Sequence, residues 1–473
     1  MLTETVNGDS RLSLWLRVRE LAVPPSMIAT ATARRAAGDW AGACAAAGVD
    51  VDLSPRSLAH THGREFSARV RADLRCLAPD LLRWHLPRIA PDGLLRPGLT
   101  IALARYEAAG RDGVRPVCLV VRTPPAWADG GQRVSLALWD ASRPGAEVCR
   151  HPRPRPDRRF RLDLHRHLWD AGRAGELRIR SGSDQLPDCK ASFRASGLTE
   201  QLPHGLPCAV ERWAAEARIL LQAEGRSAGT VTVRLGAHRR LALELMPPQA
   251  AVADRDGPGP PVIRIAAAVA DGATAPPPVL PDAATWVLPD LELLRTGAIE
   301  AGRLHPLVAA ALAPDHVPAG PSRTSHPPGE PHLVDCRGAR HRIGLVDGVL
   351  AALDHDPVEL RREELLAALT GTPLPCLQAI DLAHRHPDCL AGVRERLDHG
   401  DIAGALAVVE GLLGPDALLR GGELRDELEA AAQRWITYGL FRAGLAGPGP
   451  GGSRLDRRRP GVVRSHPRLA LSR

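Results

Sequence analysis

Between His332 and Leu445 the apolar period of the chain changes from strand-like alternation to helical spacing, and the change falls within Asp354-His355-Asp356-Pro357. On the upstream side His332–Cys336, Arg340–Leu345 and Val349–Leu353 alternate as three strands of a meander. Asp347-Gly348 supplies the residue pair that a type I′ hairpin prefers. On the downstream side Asp356 as N-cap, Pro357 at the first helical position and Glu359 two residues further on start a helix that runs to Leu369 and stops at Thr370-Gly371. Leu377, Ile380 and Ala383 mark a second helix, and Asp388 is expected to cap a third carrying Leu390, Val393 and Leu397. Gly400-Asp401 then leads into a fourth through Ile402, Ala405, Leu406, Val409 and Leu413. A last helix begins near Glu423 with the stripe Leu424, Leu428, Ala431, Trp435, Tyr438, Leu445. A chain that reads this way folds as a small sheet with a helical bundle beside it.

The N-terminal part is helical by the same criteria. Leu12–Leu21 is an amphipathic helix halted by Pro24-Pro25, and Ser26 is expected to cap the next, which runs to Ala37. Gly38 ends it and Asp39 starts another with Trp40, Ala43, Cys44 and Ala47 on one face. Gly38-Asp39-Trp40-Ala41-Gly42-Ala43 has a second copy in Gly400-Asp401-Ile402-Ala403-Gly404-Ala405. This Gly-Asp turn resembles the inter-helix turn of tetratricopeptide-type repeats, which implies antiparallel helix pairs that present a groove to a partner. About twenty residues at each place carry the resemblance, and no 34-residue period joins them. His60 to Arg88 reads as a longer amphipathic helix broken or kinked at Pro79.

The central region changes character. Leu99–Tyr106, Pro116–Arg122 and Arg133–Trp139 read as antiparallel strands, since their connections are too short for helical crossovers. Asp163–Asp170 is expected to be helical and Glu176–Arg180 a strand, ahead of a helix from Ala209 to Ala223. Thr230–Leu235 and Arg240–Leu245 form a hairpin to which Pro261–Ala270 adds a strand. A helical pair over Asp290–Leu312 precedes the Pro/Gly/Ser-rich run Ala313–Pro331. The expectation is an α+β protein: a central antiparallel β-containing domain flanked by helical hairpins, with a β-meander and helical bundle on the C-terminal side. The boundaries are 1–94, 95–275, 276–331, 332–445 and a basic, disordered tail at 446–473.

Charge sharpens what this organisation excludes. The formal net charge is +7, but residues 446–473 hold seven arginines against Asp456 alone, so the body is nearly neutral. Lys190 is the only lysine against sixty arginines. A GC-rich coding sequence gives that bias without any selected phosphate site. The nine cysteines never form a C-x-x-C or other close pair, and no secretory leader or run of eighteen apolar residues is present, which places the chain in the cytoplasm and off the membrane.

No nucleophile–base arrangement, dinucleotide fingerprint, phosphate loop or nucleophile elbow stands in a fitting context, so no catalytic residue is assigned. His60-x-His62-x-x-Glu65 puts its two imidazoles on different helical faces and reads as solvent-facing polar residues at a helix start. The candidate metal ligands are His384, His386 and Cys389, with His355 or Cys376 completing a tetrahedron about zinc beside Asp354 and Asp356. Arg457, Arg458 and Arg459, after a Gly/Pro run, are candidate phosphate contacts without interleaved aromatics for base stacking. Three functional expectations follow, in this order: a non-enzymatic interaction or scaffold protein with an unidentified protein partner; a nucleic-acid-associated protein acting through the tail; and a metal-dependent hydrolase built on residues 354–399. Leu81-Leu82-Arg83-Trp84-His85-Leu86-Pro87-Arg88 and Leu353-Asp354-His355-Asp356-Pro357 resemble stretches of uncharacterised proteins of high-GC actinobacteria, a resemblance that implies a compartment and no activity.

Overall fold

Proline fixes where half of the helices described here begin. Its ring presets the helical φ and its missing N–H is one the first turn would leave unpaired anyway. In the computed structural model, helices α2 (Pro25–Ala36), α4 (Pro55–His62), α6 (Pro79–His85), α8 (Pro289–Arg295), α9 (Pro306–Leu312), α10 (Pro357–Thr370) and α11 (Pro375–Arg385) all start on one. Pro25 takes the first position of α2, so the cap expected at Ser26 is not made. The structure describes residues 8–110, 113–140, 151–183, 202, 207–236, 239–246, 263–265, 276–316, 332–370 and 373–447. They fall into two compact units, the second comprising the described residues from His332 onward together with Ala128–Gln132. The fold is α+β, as the periodicities require.

In the first unit, α1 (Gly8–Arg17), α2, α3 (Trp40–Ala46), α4, α5 (Arg64–Cys76) and α6 pack with a four-stranded sheet. Its strand order is β1 (Val49–Val51), β6 (Val134–Asp140), β5 (Gly113–Arg122), β4 (Thr100–Gly110). The three long strands are antiparallel as expected, while β1 adds in parallel to β6 with Val49 opposite Val134. A two-stranded ribbon, β2 (Arg88–Ile89) with β3 (Leu94–Leu95), lies between α6 and the sheet in sequence. A second sheet of β7 (Gly229–Arg234), β8 (Arg240–Leu245) and β9 (Ile263–Ile265) is covered by α7 (Val210–Ala223). There Trp213, Ala217, Leu220 and Leu221 bury against Val231, Val233, Leu241 and Leu243.

One hydrophobic core joins Trp15, Leu82 and Trp84 to Ile101, Leu119 and Trp169 and onward to Leu293 and Val308. Residues expected to divide at 94/95 and 275/276 therefore share a single interior. Three local expectations are corrected. His60–Arg88 breaks before Pro79 as expected, where Leu77 turns extended, but it breaks a second time at Gly63, which takes φ +91°. Leu162–Leu168 forms two short 3-10 turns, pinned by Trp169 Nε1 donating to the Leu162 carbonyl. Leu177–Arg180 is a helical turn and not a strand. Leu177 is buried while Ile179 is 60% exposed, and one strand face would hold both.

The second unit carries the meander β10 (His332–Cys336), β11 (Ala339–Val346), β12 (Val349–Ala352), all antiparallel. Asp347 and Gly348 both take positive φ (48° and 74°), as the expected type I′ turn requires. Arg337 and Gly338 do the same at the first hairpin (54° and 83°). Helices α10, α11, α12 (Leu390–His399), α13 (Ile402–Leu413) and α14 (Glu423–Ala443) follow. Cys389, not Asp388, is the N-cap of α12, with no side-chain cap. Cys336, Ile343, Ala352, Leu374, Cys376 and Ile380 form one small core, and Leu390, Val393, Leu397, Ala405, Val409, Leu413 and Leu424 another. Among the described residues no helix is long and apolar enough to cross a membrane.

The duplicated Gly-Asp turn is the same object twice. Gly38 and Gly400 lie in the left-handed region at φ 78° and 83°. Asp39 Oδ1 accepts from Gly42 N at 2.8 Å and Asp401 Oδ1 from Gly404 N at 3.0 Å. The other carboxylate oxygen takes Arg34 Nη1 at 2.9 Å in one copy and Arg396 Nη1 at 2.7 Å in the other.

Candidate metal centre

The register of the meander decides which of its side chains face inward. Cross-strand partners in an antiparallel pair point to the same side, and residues two apart on a strand share a face. Cys336 and Val334 therefore share a face, and His341, opposite Val334, joins them. On that face Ile343 and Ala352 bury with Cys336 against Leu374, Cys376 and Ile380 of the α11 region. Cys376 is the second residue of α11, so the helix brings its thiol down onto the end of β10. Both cysteines are 0% exposed.

His355 arrives from the third direction. The chain leaves β12 and Asp354 is held across to β11. Its carboxylate accepts the Arg342 backbone N–H at 2.7 Å and the guanidinium Nη2 at 2.7 Å, which draws its pKa down to about 2. Asp356, next but one, accepts Val358 N at 2.7 Å and so starts α10. Between these two anchored carboxylates His355 turns toward the cysteines. One donor atom from each of Cys336, His355 and Cys376 lies within 4.8 Å of the others. The His341 ring sits 4.3 Å from that of His355, centroid to centroid. His341 Nδ1 and His355 Nε2 are both buried without a hydrogen-bond partner. Burial and the adjoining Cys336 side chain push the Cys376 thiol up to about 11.

The ligands expected from the sequence divide accordingly. His355 and Cys376 come together, while His384, His386 and Cys389 do not join them in any group of three donors among the described residues. His384 is buried in the last turn of α11 and its pKa is lowered, by burial first and then by Arg420. His386 is exposed and lies 3.8 Å from the Glu423 carboxylate. Cys389 packs beside the helical core at the start of α12. Asp354 is engaged by Arg342 and Asp356 by the start of α10. Cys336 and His341 were absent from the expected set. The hairpin register was the signal for them, because it places both on the inward face although no close cysteine pair is visible. Arg457, Arg458 and Arg459 lie outside the described residues.

Elsewhere, buried acid–imidazole pairs look catalytic, and one of them is saturated. In the first unit His305 Nδ1 accepts Leu307 N, so its Nε2 carries the proton and donates to Asp80 at 2.8 Å. Both side chains are 1% exposed, and neither ring nitrogen is left for a substrate. Asp290 likewise receives Trp84 Nε1 at 2.6 Å, and Glu216 receives Arg180 and lies 3.2 Å from His165. These networks tie core elements together. No protein-family model, no curated protein and no solved structure matches this chain.

Proposed function

We propose that this chain is a non-enzymatic interaction protein of a reducing, cytoplasmic compartment, and that its second unit is the docking module. One observation carries the reading. Of the seventeen large hydrophobic side chains exposed among the described residues, fifteen belong to the second and smaller unit. Scattered exposed leucines need no explanation, but a concentration of them marks a contact surface. The densest part is α10. At 100° per residue Val358, Leu365, Leu366 and Leu369 fall within a sector of about 100°, and Leu365 and Leu369 are 65% and 86% exposed.

Arg362 sits within that same sector, and Arg361 and Glu359 border it, so the rim carries both signs. That surface fits an amphipathic helix of a partner protein, with an acidic side chain in its apolar face opposite Arg362. The mixed rim offers no continuous field for a phosphate backbone. The paired Gly-Asp hairpins agree with a role in presenting helices, and the seven described cysteines are all unpaired.

The test is capture from the native cell, with nuclease present, using the full chain and the double variant Leu365→Asp/Leu369→Asp. Loss of a defined partner in the variant, and its retention by a control Leu418→Asp at an equally exposed site, is the expected result. An identical set of captured proteins from all three baits removes α10 from the reading. Capture that disappears entirely with nuclease transfers the role to Arg457, Arg458 and Arg459.

A further inference from the structure

Independently of the docking reading, we propose that Cys336, His341, His355 and Cys376 bind one Zn2+ ion as a closed, structural, tetrahedral site. The donors come from four separate pieces of chain: the end of β10, the inward face of β11, the loop after β12 and the first turn of α11. Nothing else on the described chain gathers three such groups.

The donor set selects the metal. Two sulfurs and two ring nitrogens suit Zn2+, and hard cations such as Mg2+ or Ca2+ require oxygen ligands that this group does not contain. The adjoining carboxylate, Asp354, is occupied by Arg342 through three guanidinium contacts and a backbone N–H. Tetrahedral bonds of about 2.3 Å to sulfur place ligand atoms about 3.8 Å apart. The donors of Cys336, His355 and Cys376 lie within 4.8 Å of one another, so contraction by about an ångström closes that triad, and a turn of the His341 ring, 4.3 Å from the His355 ring, supplies the fourth nitrogen. The two buried imidazole nitrogens without partners would then both be satisfied. Both thiols are fully buried, and with His341 as the fourth ligand no position remains for an activating water. That places the ion in a structural and not a hydrolytic role.

The experiment uses the full chain, stripped of metal under reducing conditions and titrated with Co2+ and then Zn2+. One equivalent of Co2+ is expected to give the visible absorption of tetrahedral cobalt with a thiolate charge-transfer band, and one equivalent of Zn2+ to bleach it. Cys336→Ser and His355→Gln each abolish that spectrum, and His341→Gln weakens Zn2+ binding. Cys389→Ser and His386→Ala, drawn from the other histidine–cysteine cluster, leave stoichiometry and spectrum unchanged. A wild-type chain that binds no Co2+, or shows only octahedral absorption without the thiolate band, overturns the proposal whether or not any variant folds. So does a spectrum that Cys389→Ser removes and Cys336→Ser keeps.

Discussion

At the scale of single residues, the Gly-Asp turns show how a small residue can be fixed by its neighbour's side chain. In each turn the Asp carboxylate folds back over the following helix and caps its third residue, Gly42 or Gly404. A Cβ on either glycine would run into that carboxylate, so the sequence G-D-x-A-G-A is a single steric unit. Gly411, further along the same helix as Gly404, has open space where a Cβ would sit. Replacing an unconstrained helical glycine by alanine stabilises by about 1 kcal/mol, and losing an Asp cap costs about 1 kcal/mol. Gly411→Ala is therefore expected to raise the denaturant midpoint, while Gly404→Ala brings no such gain and separates from it by about 1 kcal/mol. Equal midpoints for the two variants would show that the carboxylate simply moves aside. The turns were legible from sequence because their constraint is local. The metal centre was half legible. His355 and Cys376 stood out as donors, but Cys336 and His341 needed the pairing Val334 with His341, which no linear spacing prints.

Among the elements, α10 and α11 show what an amphipathic pattern does and does not reveal. Both start on proline and both follow the meander, yet they differ in which apolar residues are used. Leu374, Cys376 and Ile380 are buried against the sheet, whereas Val358, Leu365, Leu366 and Leu369 face solvent. The spacing of leucines in α10 predicts a helix and is silent on whether its face is covered. In α14 the same ambiguity appears within one stripe: Leu424, Ala431 and Tyr438 are buried, but Trp435 and Leu445 are exposed. Burial in this part of the chain was thus the harder quantity to read, and it is what leaves the α10 face open for docking. It has a stability signature. Ile380→Ala removes a buried side chain and is expected to cost about 2–4 kcal/mol. Leu365→Ser and Leu369→Ser are expected to stay within about 0.5 kcal/mol of wild type. Urea denaturation of the full chain measures all three. A large loss for Leu369→Ser would mean that the α10 face is already covered in the free protein.

For the whole molecule, the existence of separate cores has consequences that pH and metal should expose. The first unit buries its interior around Trp15, Trp84 and Trp169 and around Trp213, and the second around Ile343 and Val393. In the first unit His85 and His167 are held neutral, well below the usual imidazole range. Burial is the main cause for both, and neighbouring His165 adds to it at His167. The unfolded chain takes up protons on these side chains below about pH 6.5 and the folded chain does not. The folded state then binds fewer protons, so stability is full above pH 6.5 and falls as the pH drops below it, by about 1.4 kcal/mol per pH unit for each histidine. His167→Gln removes one histidine's share of that slope between pH 6.5 and 5. Metal acts elsewhere. An ion held by β10, β11, the loop after β12 and α11 stabilises only the second unit, and only while its ligands are folded around it. Calorimetry of the full chain at pH 7.5 is expected to show two transitions, of which a zinc chelator lowers one. The transition that survives the chelator is the one whose midpoint falls on moving from pH 7.5 to 5.5 and whose fall His167→Gln reduces. A single transition that responds to both treatments would mean that the two units unfold as one body, whatever their separate cores suggest.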